Sequence, residues 1–180
     1  KIKTSEHVEM FLQTEFRNDE TTSGGDVRLI DAWINLKANS WVQLYSGLNM
    51  AAASRQNVTS YSAMMAFDRP GVNNYTLSWG LKGRTALQTK DVPGSKVTAN
   101  LANNAVRDMG LTLFGAGSLT SSLKLKYYVG AYEGSAVSNQ SLRQTVRAQF
   151  NWGDSESSYF NRSTYLGDKS TFAMGLSYDS

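Results

Sequence analysis

The regular alternation of apolar and polar residues is the dominant pattern of this chain, and it is clearest between Ile30 and Ala52. Every second residue from Ile30 to Leu36 is apolar, whereas the interleaved residues are mostly polar. The alternation resumes after residues 38–40 and continues from residue 42 to residue 52. Because successive side chains of a strand point to opposite faces, this pattern predicts a β-hairpin with one apolar and one polar face.

The same pattern predicts seven strands in all. They cover residues 8–17, 30–37, 42–52, 109–114, 123–132, 143–152 and 171–178. Several of them run for about ten residues, whereas strands of soluble sheets usually run for about five or six. About ten residues is the length that a tilted strand needs to cross a bilayer. The strand lengths therefore raise a membrane barrel as an alternative to a soluble sheet.

The connections between these strands are unequal in length. Residues 38–40 and 115–121 are predicted to be short turns, whereas residues 54–106 form one long loop. Within that loop, residues 61–67 indicate a short helix, and residues 75–82 indicate a further strand. If 75–82 belongs to the loop, the strand count is seven; bacterial barrels normally have an even number, so the chain is predicted to be part of a larger one. A count of eight predicts a small closed barrel and inverts the sidedness of later loops.

Charge is confined to one face of the predicted strands. The opposite face carries six positive and three negative residues, namely Arg17, Lys37, Lys124, Lys126, Arg143 and Arg147 with Glu9, Glu15 and Asp31. If the apolar alternation is continued beyond the predicted strand ends, it reaches Arg28 and Arg107, which are therefore predicted to lie at a rim. In a soluble sandwich the apolar face would meet a core. In an outer-membrane barrel it would meet lipid, and the charged face would line the lumen.

Two features favour the barrel over the sandwich. Outer-membrane barrels combine short periplasmic turns with longer outer loops, which matches the unequal connections. They also carry aromatic girdles at the membrane interfaces, and Trp41, Trp152, Phe172 and Tyr178 lie near predicted strand ends. The fold expected from the sequence is thus an all-β antiparallel transmembrane barrel, with residues 1–180 forming part of a single domain.

Composition excludes several other classes. The 180 residues include no cysteine, which removes disulfides and thiolate chemistry. No stretch approaches the roughly 18 apolar residues of a membrane helix. The net charge of +3 is scattered along the chain and does not indicate nucleic acid. No signal peptide is recognisable at Lys1, so the start is predicted to be either mature or cut.

Catalytic chemistry is not indicated either. His7 is the single histidine, and nothing marks a serine partner for it. Glu9 and Glu15 share a strand face but lie about 20 Å apart, too far for a glycosidase pair. Asp154 and Glu156 are predicted to form a solvated turn and not a metal site. We therefore expect no enzyme activity, no metal and no cofactor.

Several short motifs carry a family resemblance. They are residues 29–36 (LIDAWINL), 43–47 (QLYSG), 54–56 (SRQ), 67–69 (FDR), 107–110 (RDMG) and 165–169 (YLGDK). Together they resemble the phosphate-selective porin O and P type of bacterial outer-membrane porin. The resemblance implies a sixteen-stranded, usually trimeric channel, of which this chain would be an internal portion. The chain departs from the family at residues 47–53, which lack the lysine and proline that tend to occur there.

The function expected from these observations is passive diffusion of small hydrophilic solutes through the bacterial outer membrane, with a mild anion preference. The partners expected are outer-membrane lipid, small anionic solutes and two further copies in a homotrimer. The predicted pore-lining residues are Arg17, Lys37, Lys124, Lys126, Arg143 and Arg147. Arg55 and Arg69 would narrow the pore if the long loop folds inward; the loop would otherwise cap the barrel from outside. A soluble β-sandwich binding module and a small eight-stranded barrel with a recognition role stay open as alternatives.

Overall fold

The computed structural model describes residues 2–3, 5–18, 25–65, 107–133 and 142–180, with the backbone alone at residues 3, 15–18, 25–28 and 61. Within these ranges the chain forms one antiparallel sheet. Its strands are β1 (Ile2–Lys3), β2 (Val8–Asn18), β3 (Gly25–Lys37), β4 (Gln43–Met50), β5 (Arg107–Ser118), β6 (Leu123–Tyr132), β7 (Arg143–Gly153) and β8 (Thr171–Asp179). A 3-10 turn at Tyr61–Ala63 is the one helical element of the described residues. The all-β prediction is confirmed.

The sheet is a simple meander in which every strand pairs with the next one along the chain. The seven predicted strands are present as β2 to β8, with shifted bounds. β5 extends to Ser118, so the turn predicted at 115–121 is confined to residues 119–122. Of the helix predicted at 61–67, the described residues form only the 3-10 turn. The strand predicted at 75–82 lies outside the described residues.

The strand registers fix which connections share an end of the sheet. β3, β5 and β7 all end at the edge where residues 38–42 and 119–122 form the short turns, which we call the short-turn end. Residues 154–170 leave the sheet at this same end, after β7. β2, β4 and β6 end at the opposite edge, so residue 51 starts the long loop there. This is the arrangement expected if residues 75–82 are no part of the sheet.

Burial is inverted relative to a water-soluble sheet. On the face predicted to be apolar, Leu111, Val129 and Val146 are 48%, 46% and 47% exposed. On the opposite face, Arg143, Thr145 and Gln149 are fully buried. We call these the apolar face and the polar face. In the central strands it is thus the polar face that is covered by protein.

Three residues depart from the predicted faces. Ile30, predicted on the apolar face, is buried because β3 has a bulge there: Gln13 pairs with Asp31 and Thr14 pairs with Leu29. A bulge inserts one residue, so it shifts every earlier side chain of the strand to the other face. Met50 and Ala52, also predicted on the apolar face, are buried as well. They lie where the chain leaves β4 and turns over the polar face.

Aromatic side chains form the centre of the buried cluster on the polar face. The ring of Tyr159 lies 4.2 Å from that of Tyr45, 5.2 Å from that of Tyr128 and 5.3 Å from that of Phe114, measured between centroids. Trp33 extends the cluster through Tyr45, at 5.1 Å. Aromatic pairs at these distances add about 0.5–1.5 kcal/mol each beyond the area they bury. The cluster therefore fixes residue 159 against β4, β5 and β6.

Candidate functional site at the polar face

Two segments cover the polar face, residues 51–63 and residues 154–170, which we call the covering segments. The first follows β4 and the second follows β7, so they start from opposite ends of the sheet. Tyr159 of the second segment donates its hydroxyl proton to the Met50 carbonyl at 2.8 Å and accepts a hydrogen bond at its own carbonyl from the Tyr128 hydroxyl. Val58 of the first segment is fully buried.

The covering segments also bond to each other. The Asn161 amide donates to the Val58 carbonyl at 2.9 Å, and the Ser163 amide donates to the Ala63 carbonyl at 3.0 Å. Thr59 and Asn161 form an isolated parallel bridge. The first described part of the predicted long loop, together with residues 51–53, thus packs on the polar face of the sheet. Arg69 lies outside the described residues.

Glu156 is the centre of the polar contacts between the two segments. The Arg55 guanidinium donates two hydrogen bonds to the Glu156 carboxylate, from Nη1 to Oε2 at 2.7 Å and from Nη2 to Oε1 at 2.5 Å. Gln149, Asn151 and Tyr165 donate three more, at 2.7, 2.9 and 2.6 Å. A bidentate hydrogen bond of this kind between arginine and a carboxylate is among the strongest contacts between side chains.

These contacts control the ionisation of Glu156. Burial raises the pKa of the carboxyl group, but the hydrogen bonds from Arg55, Tyr165 and Asn151 outweigh it and lower the pKa to about 2. The hydrogen bond to Glu156 raises the pKa of Arg55. Burial, followed by the hydrogen bond to Glu156, raises the pKa of Tyr165 to about 12. Both partners of the ion pair are therefore charged at neutral pH.

We expect the ion pair between Arg55 and Glu156 to withstand mild acid. Because the folded pKa of Glu156 lies below the 4.5 of a free glutamate, the pair stabilises the folded chain fully above pH 4.5 and loses its effect as the pH falls towards 2. An NMR titration of the Glu156 side-chain carboxyl carbon should give a midpoint near 2, with E156Q used to assign the signal. A midpoint near 4.5 would contradict the geometry.

Two further cations lie on the polar face beside this pair. Lys126 is 2% exposed, and its ammonium donates to Asn161 Oδ1 at 2.7 Å. The Arg147 guanidinium donates to Ser177 Oγ at 2.7 Å and to Gln149 Oε1 at 3.0 Å. Neither cation hydrogen bonds to a carboxylate of the described residues. This part of the polar face therefore carries excess positive charge.

Towards the other end of the strands, the buried charges are paired. Arg107 donates to Asp31 from Nε at 2.8 Å and from Nη2 at 2.9 Å, which links β5 to β3 across β4. Arg143 donates to Asp179 at 2.9 and 2.7 Å, which links β7 to β8. Arg107 was predicted to lie at a rim. It is the first residue of β5, and its guanidinium is buried against Asp31.

The structure places the predicted pore-lining residues in different surroundings. Lys126, Arg143 and Arg147 are buried on the polar face. Lys124 bends to the short-turn end, where its ammonium donates to the carbonyls of Ser121 and Gly153. Lys37 is exposed at the end of β3 and lines a cavity of about 460 Å³ together with Ser5, Glu6, His7, Val8, Glu9 and Asn35. The side chain of Arg17 is outside the described part.

Sequence reasoning missed Glu156. It was predicted to sit in a solvated turn with Asp154, and that prediction is wrong for Glu156, which is 4% exposed. Asp154 is exposed as expected. The signal available was Tyr159 and Phe160, which follow three residues later in an otherwise polar loop. A pair of aromatic residues in a loop indicates that the loop packs on something, but does not indicate on what.

Aromatic side chains also mark the short-turn end of the apolar face. The Tyr127 hydroxyl donates to the Trp41 carbonyl at 2.6 Å, and the rings of Trp152 and Phe172 lie 5.7 Å apart. Gly117 leaves room for the Trp41 indole, since a Cβ there would collide with the ring. Of the aromatic residues predicted near strand ends, Trp41, Trp152 and Phe172 thus lie at the short-turn end.

Comparisons with known proteins give no relative of this chain. No family model, no curated protein and no solved structure matches it. No helix within the described ranges is long and apolar enough to span a membrane. In the same ranges, no three histidine, aspartate or glutamate side chains converge as metal ligands would.

Proposed function

We propose that this chain is part of a bacterial outer-membrane porin, a passive diffusion channel for small hydrophilic solutes with a mild anion preference. The observation that carries the proposal is the inverted burial of the sheet. Leu111, Val129 and Val146 face outward, whereas Arg147 and Gln149 are covered. Water on the apolar face would make this arrangement unfavourable, because burying charge while exposing aliphatic side chains costs free energy twice. Lipid on that face removes the conflict.

The proposal includes a larger barrel. β8 pairs with β7 alone within the described residues, and β2 has only the two-residue β1 on its other side. Open edges of this kind present unpaired backbone groups, which a membrane does not tolerate. Further strands would complete the hydrogen bonding in the sixteen-stranded, trimeric assembly that the family resemblance implies. An eight-stranded closed barrel would instead pair the first strand with the last.

The anion preference follows from the charges of the polar face. The cations predicted to favour anions are Lys126 and Arg147, which have no carboxylate partner among the described residues. Arg143 contributes less, because Asp179 neutralises it. A positive lining lowers the barrier for anions and raises it for cations.

Conductance in a planar bilayer under a potassium chloride gradient tests the proposal. We expect a reversal potential on the anion-selective side. We expect R147Q to lower the chloride-to-potassium permeability ratio about fourfold, since one unit charge about 10 Å from an ion path in water changes the permeability of each ion about twofold and in opposite directions. K124Q removes the same charge at the short-turn end and should change the ratio less. Cation selectivity would overturn the anion preference.

The soluble β-sandwich alternative predicts a different behaviour. Such a protein would stay monodisperse in buffer without detergent and would not partition into vesicles. The porin proposal predicts aggregation in buffer and recovery in detergent, because the exposed apolar side chains form a continuous band. A small barrel with a recognition role predicts vesicle insertion without conductance.

A further inference from the structure

The two covering segments meet although they enter the polar face from opposite ends of the sheet. Besides the backbone bonds to Val58 and Ala63, Arg55 makes three side-chain hydrogen bonds to the second segment: two to Glu156, and one from Nη2 to the Arg162 carbonyl at 3.1 Å. Arg55 thus holds the second segment at two places. Strand β6 contacts both segments, since the Tyr132 hydroxyl accepts a hydrogen bond from the Ala52 amide and the Tyr128 hydroxyl donates to the Tyr159 carbonyl. Arg55 and Glu156 add the ion pair that joins the two segments directly.

Glu156 is also unusual in its charge environment. Arg55 donates to its carboxylate, Arg147 donates to the Gln149 side chain that also donates to Glu156, and Lys126 donates to Asn161 of the same segment. Lys169 of that segment lies over the Tyr165 ring at 5.0 Å from the centroid. The other two carboxylates of that segment are exposed; Asp154 accepts a hydrogen bond from the Ser170 amide, and Asp168 lies in a turn where its amide donates to the Tyr165 carbonyl. Glu156 is the one carboxylate of the described residues that hydrogen bonds to any of these four cations.

We propose that Glu156 holds the two covering segments together through its ion pair with Arg55. By cancelling one of the nearby positive charges, Glu156 also determines the strength of the anion preference. The inference rests on the proposed porin function for its second half only. Its first half concerns the position of the segments and holds whether or not the protein conducts ions. Glu156 is on this view a positioning residue that also determines selectivity.

Substitution of Glu156 by glutamine tests both its role in positioning the segments and its role in selectivity. E156Q keeps the size of the side chain but removes the charge that pairs with Arg55. It also puts an amide NH2 group in place of either Oε1, which accepts from Arg55 and Tyr165, or Oε2, which accepts from Arg55, Gln149 and Asn151. Donors then face a donor, which is unfavourable in a buried position. We expect the two segments to separate and the net charge of the site to rise by one unit.

Spin labels can report the distance between the segments directly. The chain has no cysteine, so S62C and S157C, both at exposed positions, introduce one label site on each segment. Electron-spin distance measurements on the full chain in detergent micelles should give a narrow distribution in the parent protein. E156Q should broaden it, and D168N, which removes a charge from the same segment without contacting Arg55, should leave it narrow.

R55Q provides the second variant if E156Q fails to fold, because Arg55 is the more exposed partner, at 30%. It should broaden the distribution as E156Q does. If the distance distribution of E156Q or R55Q is as narrow as that of the parent protein, Glu156 does not hold the segments together, whatever the conductance.

The permeability ratio tests the charge. E156Q should raise the chloride-to-potassium permeability ratio about fourfold and R55Q should lower it by a similar factor, because the two variants change the charge in opposite directions. A shift in the same direction in both variants overturns the role in selectivity. Absence of any conductance overturns the role in selectivity together with the porin proposal. The distance measurements still decide whether Glu156 holds the two segments together.

Discussion

V129R should destabilise the protein in a lipid bilayer by about 2–4 kcal/mol, the cost of arginine near the midplane of an outer-membrane barrel. Val129 is the seventh of the ten residues of β6 and is 46% exposed. Its neighbours across the sheet are Leu113 and Val146, which continue the apolar row. If this face meets lipid, the guanidinium must be desolvated there or distort the bilayer. In water the same change at an exposed position should stay within about 0.5 kcal/mol.

Equilibrium unfolding by denaturant in vesicles gives the free energy of unfolding of V129R and of the parent protein. S121R is the matched control, because Ser121 is exposed in the turn at the short-turn end. The same residue introduced there should have little effect. A cost for V129R no larger than that for S121R would show that the apolar face does not contact hydrocarbon, and the porin proposal would fail.

The strands and their faces were predictable because the period of two is a local property. Leu123 and the alternate residues after it specify β6 without reference to any other part of the chain. The meander also follows from local information, since neighbouring strands along the chain usually pair. Strand ends were less predictable: β5 continues through Gly115 and Gly117, two residues that are depleted in strands.

The direction of burial was not predictable from alternation. An apolar face contains the same types of residue whether it packs against a protein core or contacts lipid. Aromatic residues add to the ambiguity, since Trp33, Tyr45 and Phe114 belong to the predicted polar face and yet form its buried cluster. Only the structure shows that the charged residues are buried and the aliphatic ones are exposed.

The bulge at Ile30 and the contact between Arg55 and Glu156 were also beyond sequence reasoning. A bulge leaves the alternation of β3 intact on each side of it, so the apolar run through Ile30 concealed the shift. Arg55 and Glu156 are 101 residues apart in the chain. Their pairing depends on two loops being brought together by the aromatic cluster around Tyr159, and no local pattern encodes that.

D31A should destabilise the folded chain by about 3–5 kcal/mol, which is the usual cost of removing one partner of a buried ion pair. The Asp31 carboxylate is 5% exposed and accepts two hydrogen bonds from Arg107, which is 7% exposed. Without the carboxylate, Arg107 loses both bonds while its charge stays buried. The pair also spans β4, so its loss loosens the link between β3 and β5.

Denaturant unfolding in detergent measures this cost, with D168A as the control, since Asp168 is an exposed carboxylate for which we expect a change within about 0.5 kcal/mol. The double variant D31L/R107L removes both charges. It should recover much of the loss, because replacing a buried pair by apolar side chains is often neutral or stabilising. A double variant as unstable as D31A would instead mean that the cost arises from packing around β4 and not from the buried charge of Arg107.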